Sequence, residues 1–209
     1  MVLSKLNKNL ILVQARMGSK RLPGKVLKKI KGKELLLHLF HSLSKIDQSQ
    51  IVICTTRDSC DNKIIKFCKK MNIKFFRGST NNVAKRLLDA AKKFRFKNFV
   101  RICGDSPVLD YKLVKKAIKF KNKKKFDLIT NCYPRTSHHG QSVEIINTLS
   151  LEKILKKKIS KLEKEHVTLY FYNNKEKFKI LNFNRNKLKK ILNFSVDSAE
   201  DLKKIKKYI

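Results

Sequence analysis

The chain has 209 residues, 42% of them hydrophobic, and carries 51 Lys and Arg against 16 Asp and Glu, a formal net charge of +35. That length suits one sizeable α/β domain with its own core. No apolar run approaches the roughly 18 residues of a membrane-spanning helix, and "NLILVQA" is too short for a secretory leader, so a cytoplasmic protein without membrane attachment is expected.

Apolar and amphipathic stretches alternate along the chain. "LILVQA" has a strand pattern and leads through a loop to the helix "ELLLHLFHSLSKI". "QIVICTT", "IKFFRG", "NFVRICGD" and "FDLITN" follow as strands, separated by the helices "DNKIIKFCKKMN", "NNVAKRLLDAAKKF" and "YKLVKKAIKF". Continuously apolar, β-branched strands alternating with helices predict a mostly parallel sheet covered on both faces. After Asn131 the rhythm breaks. "CYPRTSHHGQ" reads as a loop, "SVEIIN", "FKILNF" and "LNFSV" as strands, and "SLEKILKKK" and "EKEHVTLYFY" as helices. "SAEDLKKIKKYI" is a terminal helix opened by the capping pattern Ser198-x-x-Asp201. Without linker or repeat, residues 1–209 read as one domain, with 132–192 a flanking subregion.

The charge admits two readings: a polyanionic partner, or lysine-rich drift of the kind AT-rich genomes show. The lysines are spread over almost every helix, which favours drift. The aromatics do not interleave with basic residues as in RNA-binding sheets, so a nucleic-acid partner is not expected. The positive field still attracts small anions. Five cysteines, an odd number without a C-x-x-C pair, argue against disulfides and zinc.

In open parallel sheets ligands bind outside the C-terminal strand ends. That rule selects "VQARMGSKRLPGKVL" (13–27), "GDSPVLD" (104–110) and "VDSAED" (196–201). In the first, Arg16, Lys20, Arg21 and Lys25 offer donors suited to phosphate, and Gly18 and Gly24 allow close backbone approach. Walker A spacing fails, because five residues separate these glycines and Val26 follows Lys25. Composition alone leaves a solvated basic loop open as the alternative. Asp105 and Asp197 each end an apolar strand, as hard oxygen ligands suited to Mg²⁺ on nucleotide phosphates. Asp197 is equally placed to cap a helix.

At these residues a resemblance emerges. "QARMGSKRLPGKVL" closely resembles the signature loop of the cytidylyltransferases that activate acidic sugars, such as CMP-sialic acid and CMP-Kdo synthetases. The SpsF-like spore coat polysaccharide branch is the most similar. "FRGSTNNVAKR", "VRICGDSPVLD", "EKEHVTLYFY" and "FSVDSAEDL" continue it in order, over residues 9–209. The resemblance implies a Rossmann-like, GT-A-like nucleotidyltransferase fold with three α/β/α layers. It implies transfer of CMP from CTP to a sugar acid, with pyrophosphate release, for surface polysaccharide synthesis.

It further implies a nucleotide site at Gln14, Ala15, Arg16, Gly18, Ser19, Arg21, Lys25, Gly78 and Ser79. Arg16, Lys25 and Asp105 would be catalytic, Asp105 and Asp197 would hold Mg²⁺, and no protein nucleophile is needed. The acceptor would meet Arg101, His139, Glu144, Glu165 and His166, and the 132–192 subregion would form a homodimer. Where SpsF-like members read D-G-L-D-V-E-V, this chain has "HGQSVEI": His139, Gln141 and Ser142 depart, while Glu144 is kept. Two alternatives stay open at this level: a nucleotidyltransferase with another sugar or polyol-phosphate acceptor, and a noncatalytic basic protein that binds nucleic acid.

Overall fold

A computed structural model describes residues 9–184 and 188–209. The expected single domain and the 132–192 subregion therefore take in residues 1–8 and 185–187, which lie outside the described part. The elements are β1 (Asn9–Gln14), β2 (Lys29–Ile30), β3 (Lys33–Glu34), α1 (Leu35–Leu43), β4 (Ser49–Thr56), α2 (Asn62–Lys70), β5 (Phe75–Gly78), α3 (Val83–Lys93), β6 (Asn98–Cys103) and α4 (Tyr111–Lys121). Then come β7 (Leu128–Thr130), β8 (Glu144–Asn147), α5 (Thr148–Leu155), α6 (Lys161–Glu165), α7 (Leu169–Asn173), β9 (Ile180–Asn182) and α8 (Ala199–Ile205).

Seven strands form one sheet in the order β5-β4-β1-β6-β8-β7-β9. Only β8 runs antiparallel, to both of its neighbours. The three layers follow from the pleat: Leu10 and Leu12 of β1 pack into one core, with Leu87, Leu151 and Phe171. Ile11 and Val13 pack into the other, with Leu36, Leu39, Ile64 and Val114. Helix starts are set by side-chain caps, Asn82 on α3, Asp110 on α4, Asn147 on α5 and the Ser198–Asp201 capping box on α8.

The structure departs from the sequence reading in three places. "LNFSV" is not a strand: Asn193 makes one isolated bridge to His139. The segment is held instead by loops, with Phe194 N–H donating to the His139 carbonyl (2.9 Å) and Val196 N–H to that of Asp105 (2.9 Å). The single helix expected over "EKEHVTLYFY" is two short helices. His166 between them takes an extended ψ of 83°, and Thr168 turns inward to donate to Glu144 Oε1 at 2.8 Å. The β2–β3 hairpin was not foreseen. Its turn, Lys31-Gly32, has positive φ at both residues, 47° and 78°, the geometry that favours tight hairpins. All five cysteines are free, and no helix among the described residues is long and apolar enough to cross a membrane.

Candidate active site

The loop after β1 is folded back on itself. Met17 O accepts the N–H groups of Ser19 (2.8 Å) and Gly24 (2.9 Å), and Gly24 takes the left-handed conformation at φ 68°. A short 3₁₀ turn, Lys25–Leu27, then buries Val26 and anchors the backbone from which Lys25 extends. The loop meets the end of β6 through Gly104, whose N–H donates to Gln14 O at 2.9 Å. A Cβ there would stand 2.9 Å from that oxygen and 3.1 Å from the Ala15 Cβ, so only glycine allows the approach.

Beside this junction opens a cavity of about 490 Å³. Lys25 Nζ donates to Asp105 Oδ2 and to Asp197 Oδ1, both at 2.7 Å. Arg21 Nη2 stands 3.1 Å from Asp197 Oδ2. Burial alone would lower the Lys25 pKa, but the charges and hydrogen bonds of Asp105 and Asp197 outweigh it and hold the ammonium above its ordinary value. The Asp105 and Asp197 side chains remain 25% and 32% exposed, so lone pairs are left for a ligand. Across the mouth, Arg16 Nη2 meets Glu165 Oε1 of α6 at 2.7 Å.

Eleven of the expected residues line this one cavity: Gln14, Ala15, Arg16, Gly18, Ser19, Arg21, Lys25, Asp105, Glu165, His166 and Asp197. Gly78 and Ser79 do not line it; they reach it through Arg86, which does. Arg101, Glu144 and His139 are not among the residues that line this cavity. Glu144 is 2% exposed and its two oxygens are taken, Oε1 by Thr168 and Tyr172 and Oε2 by Arg101. Burial raises its pKa, but Arg101, Tyr172 and Thr168 hold it below the ordinary range. Arg101 spends its guanidinium on Glu144, on Gln14 Oε1 (3.0 Å) and on Cys103 Sγ (3.6 Å), so it reaches the cavity through Gln14 and Cys103, which line it. His139 lies exposed on the bridge to Asn193.

Two residues escaped the sequence reading. Asp61, 1% exposed, accepts from Met17 N–H (2.7 Å), Thr55 Oγ1 (2.8 Å) and Thr56 N–H (3.0 Å), tying the loop to the end of β4. Burial raises its pKa, but those bonds carry it below the usual carboxylate value. In sequence it looks like one more acidic residue in a helix's first turn. Arg86 is the other; its signal was a charge on the buried face of α3, three residues after Val83.

Residues 10–208 match the family profile described as cytidylyltransferase. The spore coat polysaccharide biosynthesis protein SpsF of Bacillus subtilis is 31% identical over 84% of this chain and 74% of its own length. The 3-deoxy-manno-octulosonate cytidylyltransferase of Elusimicrobium minutum is 27% identical over 60% of this chain and 51% of its own. A solved cytidylyltransferase from Leptospira borgpetersenii superposes with a TM-score of 0.89 at 31% identity, covering 98% of this chain and 88% of that one. The chain belongs to the cytidylyltransferase family. It is a nucleotidyltransferase, and its three-layer Rossmann-like fold is the one such enzymes carry.

Proposed function

We propose that this nucleotidyltransferase moves CMP from CTP to the hydroxyl of a sugar acid and releases pyrophosphate, in the cytoplasm, for surface polysaccharide synthesis. The carrying observation is the convergence of Lys25, Arg21, Asp105 and Asp197 on one cavity beside a glycine-hinged basic loop. A nucleic-acid-binding surface would instead string its cations along a groove. The similarity to a 3-deoxy-manno-octulosonate cytidylyltransferase supports a sugar acid as acceptor, and that to the spore coat polysaccharide biosynthesis protein SpsF supports a role in surface polysaccharide synthesis.

In the reaction the acceptor oxygen attacks the α-phosphorus, the bond to the β-phosphate breaks, and pyrophosphate departs. An anionic acceptor cannot approach an unscreened triphosphate, so the protein's work is neutralisation and alignment. Arg16, Arg21 and Lys25 supply the cations, and the loop's amides add donors around Gly18 and Ser19. Asp105 and Asp197 fit Mg²⁺: one cationic nitrogen already contacts both at 2.7 Å, and both are hard oxygen donors. Among the described residues no cluster of three or more His, Cys, Asp or Glu is placed to hold a metal. Phosphate oxygens and water would complete the shell, as they do at many Mg²⁺ sites. When bound, the ion screens and orients the triphosphate. Glu165 and His166 also line the cavity, which supports the reading that they meet the acceptor.

Pyrophosphate release measured with CTP, Mg²⁺ and a panel of 2-keto sugar acids tests this reading. Turnover with at least one acceptor is expected; absence of turnover with every acceptor, together with absence of CTP binding, would sink it. The reading includes a homodimer through the 132–192 subregion, for which sedimentation is the check.

A further inference from the structure

The turn at residues 138–141 does not line the cavity, yet it touches both segments that carry the cavity's aspartates. Gln141 uses both ends of its side-chain amide on one loop: Nε2 donates to the Val108 carbonyl at 2.8 Å and Oε1 accepts the Asp110 N–H at 2.9 Å. Those two backbone groups flank Leu109, which is 1% exposed. A single amide thus closes the backbone of the loop that leaves β6 with Asp105. Asp110 in turn caps α4 by accepting the Lys112 N–H at 2.8 Å, so the loop is fixed at its far end as well.

On its other side the turn grips the segment that leads to Asp197. No strand forms between residues 188 and 198, so the sheet that carries β6 up to Asp105 does not place Asp197. The turn does. His139 N–H donates to the Leu192 carbonyl (3.0 Å), and the His139 carbonyl accepts the Phe194 N–H (2.9 Å). Gly140 lies against the next peptide: at φ 79° a Cβ there would fall 2.5 Å from Phe194 C and 2.6 Å from Ser195 N, so only glycine fits. Val196 N–H then donates to the carbonyl of Asp105 itself at 2.9 Å. The turn is anchored in the core by fully buried Asn131, whose Nδ2 donates to the Gln141 carbonyl (2.8 Å) and whose Oδ1 accepts the Val143 N–H (2.9 Å).

Resting on the reading of Asp105 and Asp197 as the Mg²⁺ pair, we infer that Gln141 is a positioning residue for that pair. Its amide holds the loop behind Asp105, and the turn it belongs to holds the segment behind Asp197. Together they set the spacing of two carboxylates that Gln141 itself does not touch. Removing a group that orients metal ligands from behind typically weakens metal binding about 10–100-fold. The SpsF-like pattern has Leu where this chain has Gln141, and a Leu side chain can make neither bond, so the brace is a feature of this chain's own departure from that pattern.

Mn²⁺, a spectroscopic stand-in for Mg²⁺, tests the assignment. Its affinity for the CTP complexes of wild type, Gln141→Leu and Gln141→Glu is read by electron paramagnetic resonance, CTP affinity without metal by calorimetry, and folding by thermal melting. Gln141→Leu is expected to bind Mn²⁺ about tenfold or more weaker, with metal-free CTP affinity unchanged. Gln141→Glu keeps the acceptor for Asp110 and loses the donor to Val108, so its Mn²⁺ affinity should fall between the other two. Unchanged Mn²⁺ affinity in folded Gln141→Leu would overturn the inference, and so would an equal loss of metal-free CTP affinity, the mark of a general loosening. If Gln141→Leu melts before titration, Gln141→Glu decides, and Mn²⁺ affinity equal to wild type would overturn the inference. A wild type that binds CTP but no Mn²⁺ defeats the metal pair and this inference with it, and one that binds no CTP defeats the cytidylyltransferase reading itself. Mn²⁺ binding indifferent to residue 141 defeats the inference alone.

Discussion

Asp105 and Asp197 meet Lys25 in an open cavity, while Glu144 meets Arg101 inside the core. Both are carboxylate–cation clusters near the sheet, and they do opposite things. Glu144 has both oxygens occupied and 2% exposure; through it Thr168 and Tyr172 tie α7 to β8, and Arg101 ties β8 to β6. Asp105 and Asp197 keep a quarter to a third of their side-chain surface, and with Lys25 they line the cavity. Saturated charge holds a fold together; charge with spare lone pairs in a cavity is available to a ligand.

The contrast predicts effects of different kinds. Removing one partner from the saturated cluster costs the most stability: Glu144→Ala should lower the unfolding free energy by about 3–5 kcal/mol. Denaturant titration measures it, and a loss under 1 kcal/mol would erase the distinction between the clusters. In the open cluster the damage falls on rate. Asp105→Asn should cut turnover by about 10²–10³-fold, the scale of losing one group that stabilises developing charge, and shift the unfolding free energy by only about 1 kcal/mol. Retained turnover would remove Asp105 from the metal site.

Asp61 falls between the two, buried like Glu144 yet fastened to the basic loop after β1 through the Met17 amide. Asp61→Asn should cost about 1–3 kcal/mol of stability and raise KM for CTP through the loosened Met17 amide. The Asp61 and Glu144 carboxyls sit below their unfolded values, about 3.9 and 4.3. Their stabilisation is therefore complete above about pH 5 and lost as pH falls through the folded values. Acid unfolding of Asp61→Asn should accordingly be shallower below pH 4 than that of wild type. The smallest effect is expected at the cavity mouth, where a double-mutant cycle on Arg16 and Glu165 should give under about 1 kcal/mol, since both ends are well exposed.

Much of this architecture could be read in the chain. Strands β1, β4, β6 and β7 announce themselves as runs rich in apolar β-branched residues between amphipathic helices, because burial on both faces leaves little alternation to confuse the pattern. The loop after β1 and Asp105 could be read from their positions just past β1 and β6, whereas Asp197 lines the same cavity although the strand expected before it does not form. "LNFSV" misled because a strand needs a neighbouring edge, and that segment pairs with loops instead. "EKEHVTLYFY" misled because the inward pull of Glu144 on Thr168 overrides helical periodicity. Glu144 and Arg101 were expected at an acceptor through the resemblance alone; that they bond each other and stand outside the lining of the cavity is visible only in the tertiary structure. Asp61 belongs to no spaced motif, and Arg86, although it closes the matched stretch "FRGSTNNVAKR", was given no role there.

By itself, then, the sequence determined the layered α/β fold and the identity of the residues that crowd the cavity, because hydrophobic periodicity and strand-end loops are local properties. Tertiary structure alone decided which charges are spent and which are free. That depends on partners 43 residues away, as for Arg101 and Glu144, or 172 away, as for Lys25 and Asp197, and no local pattern encodes whether such partners leave a lone pair or a donor over.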